Sequence, residues 1–306
     1  MNGTTTAQLA EKTAKAVTGS VEEWTGFLQS AARLYKYSYP EQLLIYAQRP
    51  DATACASYEI WNQTMRRYVR RGARGIALPD GAGAVRYVFD VADTGARKSS
   101  REVKTWALDE NNREAVAHAL ETQYGSAAKL GIAGQLEEIA MQQSMDYWQW
   151  HQDELRGIVD GSFLEGYDEL NLEIAFRNTA AASVKYMLLS RCNLAQEYQF
   201  EPEELAGVLE WSTPAASGAL GSAISEMSEG VLRQIERTIR QYERSQNHDE
   251  RTDVHEERRV LDSRPDSSRT ADGVEQIRTD AGAVSEGASD DHLQQPAPER
   301  KIDRAP

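Results

Sequence analysis

Arginine and aromatic side chains are interleaved between residues 35 and 89 of this sequence. A single nucleic-acid strand exposes a phosphate chain, which guanidinium groups neutralise, and base faces, on which flat rings stack at about 1–3 kcal/mol per base. This combination predicts a surface that binds a single strand without sequence preference. The residues predicted to contact the strand are Tyr37, Tyr39, Arg49, Trp61, Arg66, Arg67, Tyr68, Arg70, Arg71, Arg74 and Arg86.

Three of these arginines lie in a glycine-containing segment, residues 70–75. Gly72 and Gly75 allow the backbone to approach a phosphate closely, because glycine has no Cβ. The arginines also fit a solvated strand face, or a surface that binds the acidic part of the same chain. Trp61 and several tyrosines fit a hydrophobic core equally well, since aromatic rings are the largest apolar side chains. Composition alone leaves these interpretations open.

Residue patterns for catalysis are few. Asp90, Glu102 and Lys104 resemble the acidic pair and lysine of Mg²⁺-dependent nucleases, but such a triple arises often by chance where 27% of residues are charged. The sequence has no His pair at metal-ligating spacing and no phosphate-binding loop. Cys55 and Cys192 fit small buried hydrophobic residues better than nucleophiles. We therefore predict no catalytic residues, no metal and no cofactor, with a nuclease as the less favoured alternative.

Charge is distributed unevenly along the chain. The net formal charge is −14, yet residues 33–104 hold 13 Lys and Arg against 7 Asp and Glu, whereas residues 105–240 hold 9 against 22. A basic segment within an acidic protein indicates a localised anionic partner. No apolar run reaches the length of a membrane span, and the first residues do not resemble a signal peptide. The sequence therefore predicts a cytoplasmic protein with no membrane partner.

Local patterns predict helices first and then strands. Capping-box patterns at residues 20–23 and 38–41 each open a short helix, and Pro50 ends the second one. Apolar stretches at residues 68–69 and 75–78 flank the arginines, either as a β-hairpin or as a strand–loop–strand unit. Residues 85–91 are rich in β-branched and aromatic types and predict another strand. Residues 94–101 are polar and predict a loop.

Beyond about residue 108 the pattern becomes helical. One predicted helix face holds Met141, Met145, Trp148, Leu155 and Val159, and Asp168 is placed to cap a following helix. A long apolar stripe runs from Leu220 to Tyr242, after which too few apolar residues remain to offset the entropy of ordering the chain. The predicted class is α+β, with N-terminal helices packed on a small antiparallel sheet, a mostly helical region and a disordered tail. The predicted segments are 15–105, 106–245 and 246–306.

Residues 37–53, YSYPEQLLIYAQRPDAT, resemble the YN..LI..Q.P.A stretch of the N-terminal domain of ArdC-type antirestriction proteins. Residues 58–61, YEIW, and 69–76, VRRGARGI, are similar to the W…V.KG..GI signature that comes next in that domain, in the same order and spacing. The resemblance implies an α+β domain that binds single-stranded DNA. Such domains occur in antirestriction proteins and at the front of large helicase or methylase proteins of conjugative elements. Residues 183–192 are similar to the segment after the domain in those large proteins.

The sequence departs from this family in two places. The H-E-x-x-H helix of ArdC C-terminal domains is absent, because neither His151 nor His255 has a second His four residues later. Residues 65–67, MRR, stand where the family often has a glycine. The implied function is non-catalytic binding of single-stranded DNA in conjugative transfer or antirestriction. A protein-interaction module, or an N-terminal fragment of a large helicase or methylase, is the alternative.

Overall fold

The computed structural model of the chain describes residues 3–81, 83–196 and 200–262, and it describes the side chains of all these except Pro202 and residues 247–262. The helices are α1 (Gly3–Val17), α2 (Val21–Arg33), α3 (Tyr39–Gln48), α4 (Arg113–Tyr124), α5 (Gly131–Gly157), α6 (Glu169–Arg191) and α7 (Pro214–Asp262). The strands are β1 (Cys55–Ser57), β2 (Tyr68–Val69), β3 (Ile76–Pro79), β4 (Val85–Asp90) and β5 (Thr94–Gly95). A π-helical turn spans Ile60–Thr64, and 3₁₀ turns span Val91–Asp93, Ala128–Leu130 and Pro202–Glu210. The predicted α+β class is confirmed.

Side-chain caps begin the two predicted N-terminal helices. The Ser20 hydroxyl accepts the backbone N–H of Glu23 at 3.2 Å, which satisfies one of the free donors at the start of α2. At the start of α3 the Glu41 carboxylate accepts the backbone N–H of Ser38 at 3.1 Å. Both contacts join residues three positions apart, so the sequence predicts both helix starts correctly.

The sequence did not predict helix α1. Its buried positions are Thr6, Thr13, Ala14 and Val17, so the apolar stripe lacks large residues and gives a weak periodic signal. The Thr13 hydroxyl donates to the carbonyl of Leu9 at 2.7 Å, which satisfies that polar group inside the protein. The helix packs against α3 and β3 and so adds a third helix beside the sheet.

The strands form two small antiparallel sheets. One has the order β1-β4-β3, with Ile76 opposite Val88, and the other pairs β2 with β5, with Tyr68 opposite Gly95. The arginine segment therefore joins strands of different sheets as a strand–loop–strand unit, and the hairpin alternative is wrong. The predicted loop 94–101 begins with strand β5, because its first two residues pair with β2. Strand β1, which the sequence did not predict, pairs with β4.

Buried apolar residues form two cores. The larger one draws on helices α1 to α7, and the Trp24 indole N–H donates to the Ser183 hydroxyl at 3.1 Å, which ties α2 to α6. The described residues up to 254 pack as one compact unit, and the larger core holds Trp106 and Val116 together with residues of α1 to α3, so it continues across residue 105. The smaller core, beside α3 and the three-stranded sheet, consists of Leu34, Leu44, Ile45, Ala52, Ile76, Leu78 and Val88.

Helix α5 buries only part of its predicted face. Trp148, Leu155 and Val159 are buried as expected, but Met141 and Met145 are exposed. The first part of α5 also contacts α4, as the hydrogen bond from the Gln135 amide to the carbonyl of Ala117 shows. Because both α6 and α4 contact this part of α5, its buried residues lie on two sides of the helix instead of along one continuous stripe.

The C-terminal helices agree with their predicted starts. The Asp168 carboxylate accepts the backbone N–H of Asn171 at 2.8 Å and caps α6 as predicted. Helix α7 extends to Asp262, into the segment predicted as a tail, and residues 263–306 of that segment lie outside the described residues. In the part of the chain that is described, no helix has both the length and the apolar character needed to cross a membrane.

Candidate nucleic-acid interface

The paired strands β2 and β5 carry basic residues at both ends. At one end lie the residues just before β2 and just after β5, and at the other end lies the arginine segment that comes after β2. We call this surface the basic ribbon. Its cationic residues are Arg66, Arg67, Arg70, Arg71, Arg74, Arg97, Lys98 and Arg101.

Hydrogen bonds hold the first end of the basic ribbon together. The Ser100 hydroxyl donates to the carbonyl of Arg66 at 2.7 Å, and the N–H of Arg101 donates to the carbonyl of Met65 at 2.9 Å. The Arg97 guanidinium donates to the side-chain oxygen of Asn62 at 3.1 Å. The segment 97–101 is therefore fixed against the residues that precede β2.

The second end of the basic ribbon is a tight turn. The N–H of Arg70 donates to the carbonyl of Asp93 at 2.8 Å, and its guanidinium donates to the carbonyl of Ala92 at 3.0 Å. Gly72 has φ +87°, which side-chain-bearing residues rarely adopt, so the turn requires glycine there. Arg71 and Arg74 are exposed to solvent on this turn.

Several of these cations have no neutralising partner. Arg66, Arg71 and Arg74 are exposed, and within the described residues none of them forms an ion pair. The Arg67 guanidinium donates to the Thr94 hydroxyl at 2.8 Å, a neutral partner that leaves its charge uncompensated. Positive charge without a carboxylate partner is what a polyanion binds, since each phosphate contact releases a condensed counterion.

Tyr68 places an aromatic ring in the middle of the basic ribbon. Its ring lies directly over Gly95 in the paired strand, and a Cβ at that glycine would collide with the ring. The Arg97 guanidinium lies 5.7 Å from the ring centroid, within the range of a cation–π contact. Tyr68 is 43% exposed, so part of its ring is free for a base.

A second aromatic surface lies on the three-stranded sheet. Val88 of β4 is in the smaller core, and the neighbouring Tyr87 and Phe89 therefore face the other side of the sheet. Tyr87 is 46% exposed. A Cβ at Gly75 would lie 3.0 Å from the Tyr87 ring, so this glycine allows the arginine segment to pass beside the aromatic face. We call Tyr87 and Phe89 the aromatic sheet face.

The structure removes three aromatic residues from the predicted site. Tyr39 is 4% exposed and its ring packs edge-on against Phe27, and Trp61 is 3% exposed and donates its indole N–H to the carbonyl of Phe89 at 2.8 Å. Neither ring has a face free for a base. Tyr37 is half-buried beside the smaller core and donates to the carbonyl of Cys55 at 2.8 Å. All three side chains serve the fold.

Two predicted arginines are already paired with carboxylates. Arg49 contacts Asp93 at 2.5 Å, and that hydrogen bond raises the pKa of the guanidinium. Arg86 contacts Glu41 at 2.5 Å and so joins β4 to α3. Both pairs hold elements of the fold together, so neither guanidinium is an unpaired cation of the surface. Arg74 and Arg49 line a groove of about 610 Å³ next to the basic ribbon.

The residues that suggested a nuclease do not share one environment. Asp90 is buried, and its carboxylate accepts the backbone N–H groups of Thr53 at 2.7 Å, Ala54 at 3.0 Å and Ala92 at 2.9 Å. Glu102 is exposed and lies 3.8 Å from the Lys104 ammonium. The Asp90 carboxylate thus holds these three backbone N–H groups in place. Among the residues with described side chains, no three His, Cys, Asp or Glu groups are placed to hold a metal ion.

Burial affects both cysteine thiols in the same direction. It raises the pKa of Cys55 to about 12 and that of Cys192 to about 12. Only the thiolate is a good nucleophile, so both side chains are inert near neutral pH. Neither thiol contributes chemistry to the basic ribbon.

Sequence reasoning missed five residues of this surface. Arg97, Lys98 and Arg101 fall within the predicted polar loop, and nothing local shows that β5 brings them beside β2. Tyr87 and Phe89 lie in a correctly predicted strand but are absent from the predicted contacts. Along β4 the apolar residues Val85, Tyr87 and Phe89 alternate with Arg86 and Asp90, a pattern that predicts buried rings, so no local signal shows that this side of the strand is exposed.

Comparisons with known proteins found no similar protein. No known protein family, no curated protein and no solved structure matches the chain. Its function is therefore inferred from the side chains and geometry of the basic ribbon and the aromatic sheet face.

Proposed function

We propose that this protein binds single-stranded DNA without catalysing a reaction, and that the basic ribbon and the aromatic sheet face form the contact surface. The observation that carries the proposal is the pairing of exposed arginines, which lack carboxylate partners among the described residues, with exposed rings beside them. Arg71 and Arg74 supply the charge, and Tyr68 and Tyr87 supply the rings. This is the composition of surfaces that follow a phosphate chain and stack its bases.

The exposed rings favour single strands over duplexes. Electrostatic attraction to phosphates is shared by both forms of DNA, whereas stacking on a side chain requires an unpaired base face. Tyr68 and Tyr87 therefore contribute only to single-strand binding. The arginines provide affinity that is independent of sequence, because phosphates are the same at every position.

The resemblance to the ArdC N-terminal domain supports the same proposal. The arginine segment lies within the resembling residues 69–76. On this basis we place the protein in conjugative transfer or antirestriction by a mobile element.

The test compares the full chain on a labelled single strand and on the same sequence as a duplex, by fluorescence anisotropy across a range of salt concentrations. We expect tighter binding of the single strand. In the Arg70→Ala/Arg71→Ala/Arg74→Ala variant the slope of log affinity against log salt should become shallower by about 2, because each phosphate contact contributes about 0.7.

A matched control removes the same charge from helix α7. The Arg233→Ala/Arg237→Ala/Arg244→Ala variant should keep the wild-type slope, since these arginines lie outside the proposed surface. Equal losses in both triple variants, with both still folded, would mean that binding is a general charge effect. Equal affinity for single strand and duplex would contradict the stacking role of Tyr68 and Tyr87.

A further inference from the structure

A cavity of about 520 Å³ lies at the C-terminal ends of α2 and α6. None of its described lining residues belongs to the basic ribbon or to the aromatic sheet face. The lining side chains that matter here are polar or cationic: Gln29, Arg33, Thr105, Ser190, Arg191 and Asn193. No carboxylate is among the lining residues that the structure describes.

Both arginines of the cavity are held in place by neutral groups. The Arg33 guanidinium donates to the carbonyls of Pro50 and Ala52, each at 3.0 Å. The Arg191 guanidinium lies 3.4 Å from the centroid of the Trp106 ring and donates to the carbonyl of that residue at 2.9 Å. Each side chain is therefore positioned before any ligand binds, which lowers the entropic cost of binding.

Glu236 is a carboxylate whose charge reaches the cavity: it tends to raise the pKa of Arg191, but it forms no ion pair with that side chain and is itself paired with Lys36 and Arg240. Within the described part of the chain neither Arg33 nor Arg191 forms an ion pair, and burial lowers the pKa of Arg191, although an arginine remains protonated near neutral pH. Arg33 and Arg191 are the last residues of α2 and α6, and a helix C-terminus carries about −0.5 of a charge. Two guanidinium groups outweigh two such ends, so the cavity stays cationic.

We propose that this cavity binds the phosphate group of a small molecule of about nucleotide size. Two N–H groups of a guanidinium match two oxygens of a phosphate, and the amides of Gln29 and Asn193 add further donors. The volume is within the range of about 300–1,000 Å³ that is usual for small-molecule sites, and it exceeds what an inorganic phosphate needs. A free nucleotide and the terminal phosphate of a DNA strand share this chemistry.

The first experiment measures binding of adenosine monophosphate and of adenosine to the full chain, by calorimetry at constant ionic strength. We expect binding of the monophosphate only. Arg191→Gln should weaken it at least about tenfold, because a charge-assisted hydrogen bond is lost. Thr105→Glu should do the same without altering the core, since Thr105 is exposed and the new carboxylate would occupy the cationic cavity.

Arg177→Gln is the control for the same helix, because Arg177 pairs with Glu173 at 2.8 Å and does not line the cavity. This variant should bind the monophosphate as the wild type does. No binding of the monophosphate, or equal binding of adenosine, would overturn the proposal. Unchanged binding in folded Thr105→Glu would overturn it as well, since the contact would then be elsewhere.

The two ligand sources are separated by comparing one single strand with and without a 5′-phosphate. Tighter binding of the phosphorylated strand in the wild type, and not in Thr105→Glu, would support a strand end as the ligand. Equal binding of the two strands together with monophosphate binding would support a free nucleotide. The arginine-segment triple variant should retain monophosphate binding, so a failure of the DNA proposal is distinguishable from a failure of this one.

Discussion

The basic ribbon and the helical region use the same charged residue types in opposite ways. In the helical region several cations are paired within the protein: Arg177 with Glu173 at 2.8 Å, Arg233 with Glu229 at 2.6 Å and Lys185 with both Glu137 and Glu204. On the basic ribbon, Arg71 and Arg74 are exposed and form no ion pair with any described residue.

Aromatic side chains show the same contrast. The centroid of the Phe176 ring lies 5.8 Å from those of Trp148 and Trp211, so these three rings of the helical region form one buried cluster. Tyr68 and Tyr87 keep much of their ring surface in solvent. Residue type alone therefore does not separate a stabilising side chain from a binding one. The presence or absence of a partner inside the protein separates them.

The largest expected effect tests whether the two regions are thermodynamically separate. Trp24 is fully buried and joins α2 to α6, so Trp24→Ala should lower the free energy of unfolding by about 3–5 kcal/mol. We expect one cooperative transition in urea, with the change in fluorescence and the loss of single-strand binding at the same urea concentration. Trp150→Ala, at a position 82% exposed, is the control and should change stability little. Two separate transitions in Trp24→Ala would show that the regions unfold independently.

A smaller effect concerns a carboxylate that serves the fold. Burial opposes the ionisation of Glu236, but hydrogen bonds from Lys36, Tyr35 and Arg240 outweigh it and lower the pKa to about 2 from an ordinary 4.5. Because the folded pKa is the lower one, this stabilisation is present above about pH 4.5 and is lost as the pH falls towards 2. Its full size is at most about 3 kcal/mol.

The variant that measures this contribution is Glu236→Gln. At pH 7 it should unfold more easily than the wild type by about 1–3 kcal/mol, and its stability should fall less between pH 4.5 and pH 2. Glu229→Gln changes a less buried carboxylate on the same helix and should leave the pH profile of stability nearly unchanged. If the free energy of unfolding depends on pH identically in Glu236→Gln and in the wild type, other groups cause the loss of stability in acid.

The smallest expected effect sharpens the contrast between paired and unpaired arginines. Arg233→Gln breaks a surface pair with Glu229 and should cost about 0.3–0.5 kcal/mol of stability, with single-strand affinity unchanged. Arg71→Gln should leave stability unchanged and weaken single-strand binding. Thermal unfolding of both variants measures the change in stability, and fluorescence anisotropy measures the change in single-strand affinity. Loss of stability in Arg71→Gln would reveal a structural role for that side chain.

Local contacts explain the features of the fold that were predicted correctly from the sequence. The caps at Ser20 and Asp168 were predictable because each joins a side chain to a backbone N–H three residues away. The α+β class followed from residue types that favour helices, strands and turns, whereas the same types left both a hairpin and a strand–loop–strand unit open around the arginine segment. The interleaving of arginines with aromatic residues was visible for the same reason, since it is a property of neighbouring residues.

Which of these side chains are free depends on the packing of elements that are distant along the chain. Tyr39 is buried because Gly221, far away in the sequence, leaves room for its ring, whereas Tyr87 is exposed because the smaller core covers the opposite side of β4. Arg86 is neutralised by Glu41 of α3, and Arg97 joins the basic ribbon through the pairing of β5 with β2. Burial and ion pairing depend on residues distant along the chain, and no local pattern encodes which of them will become neighbours.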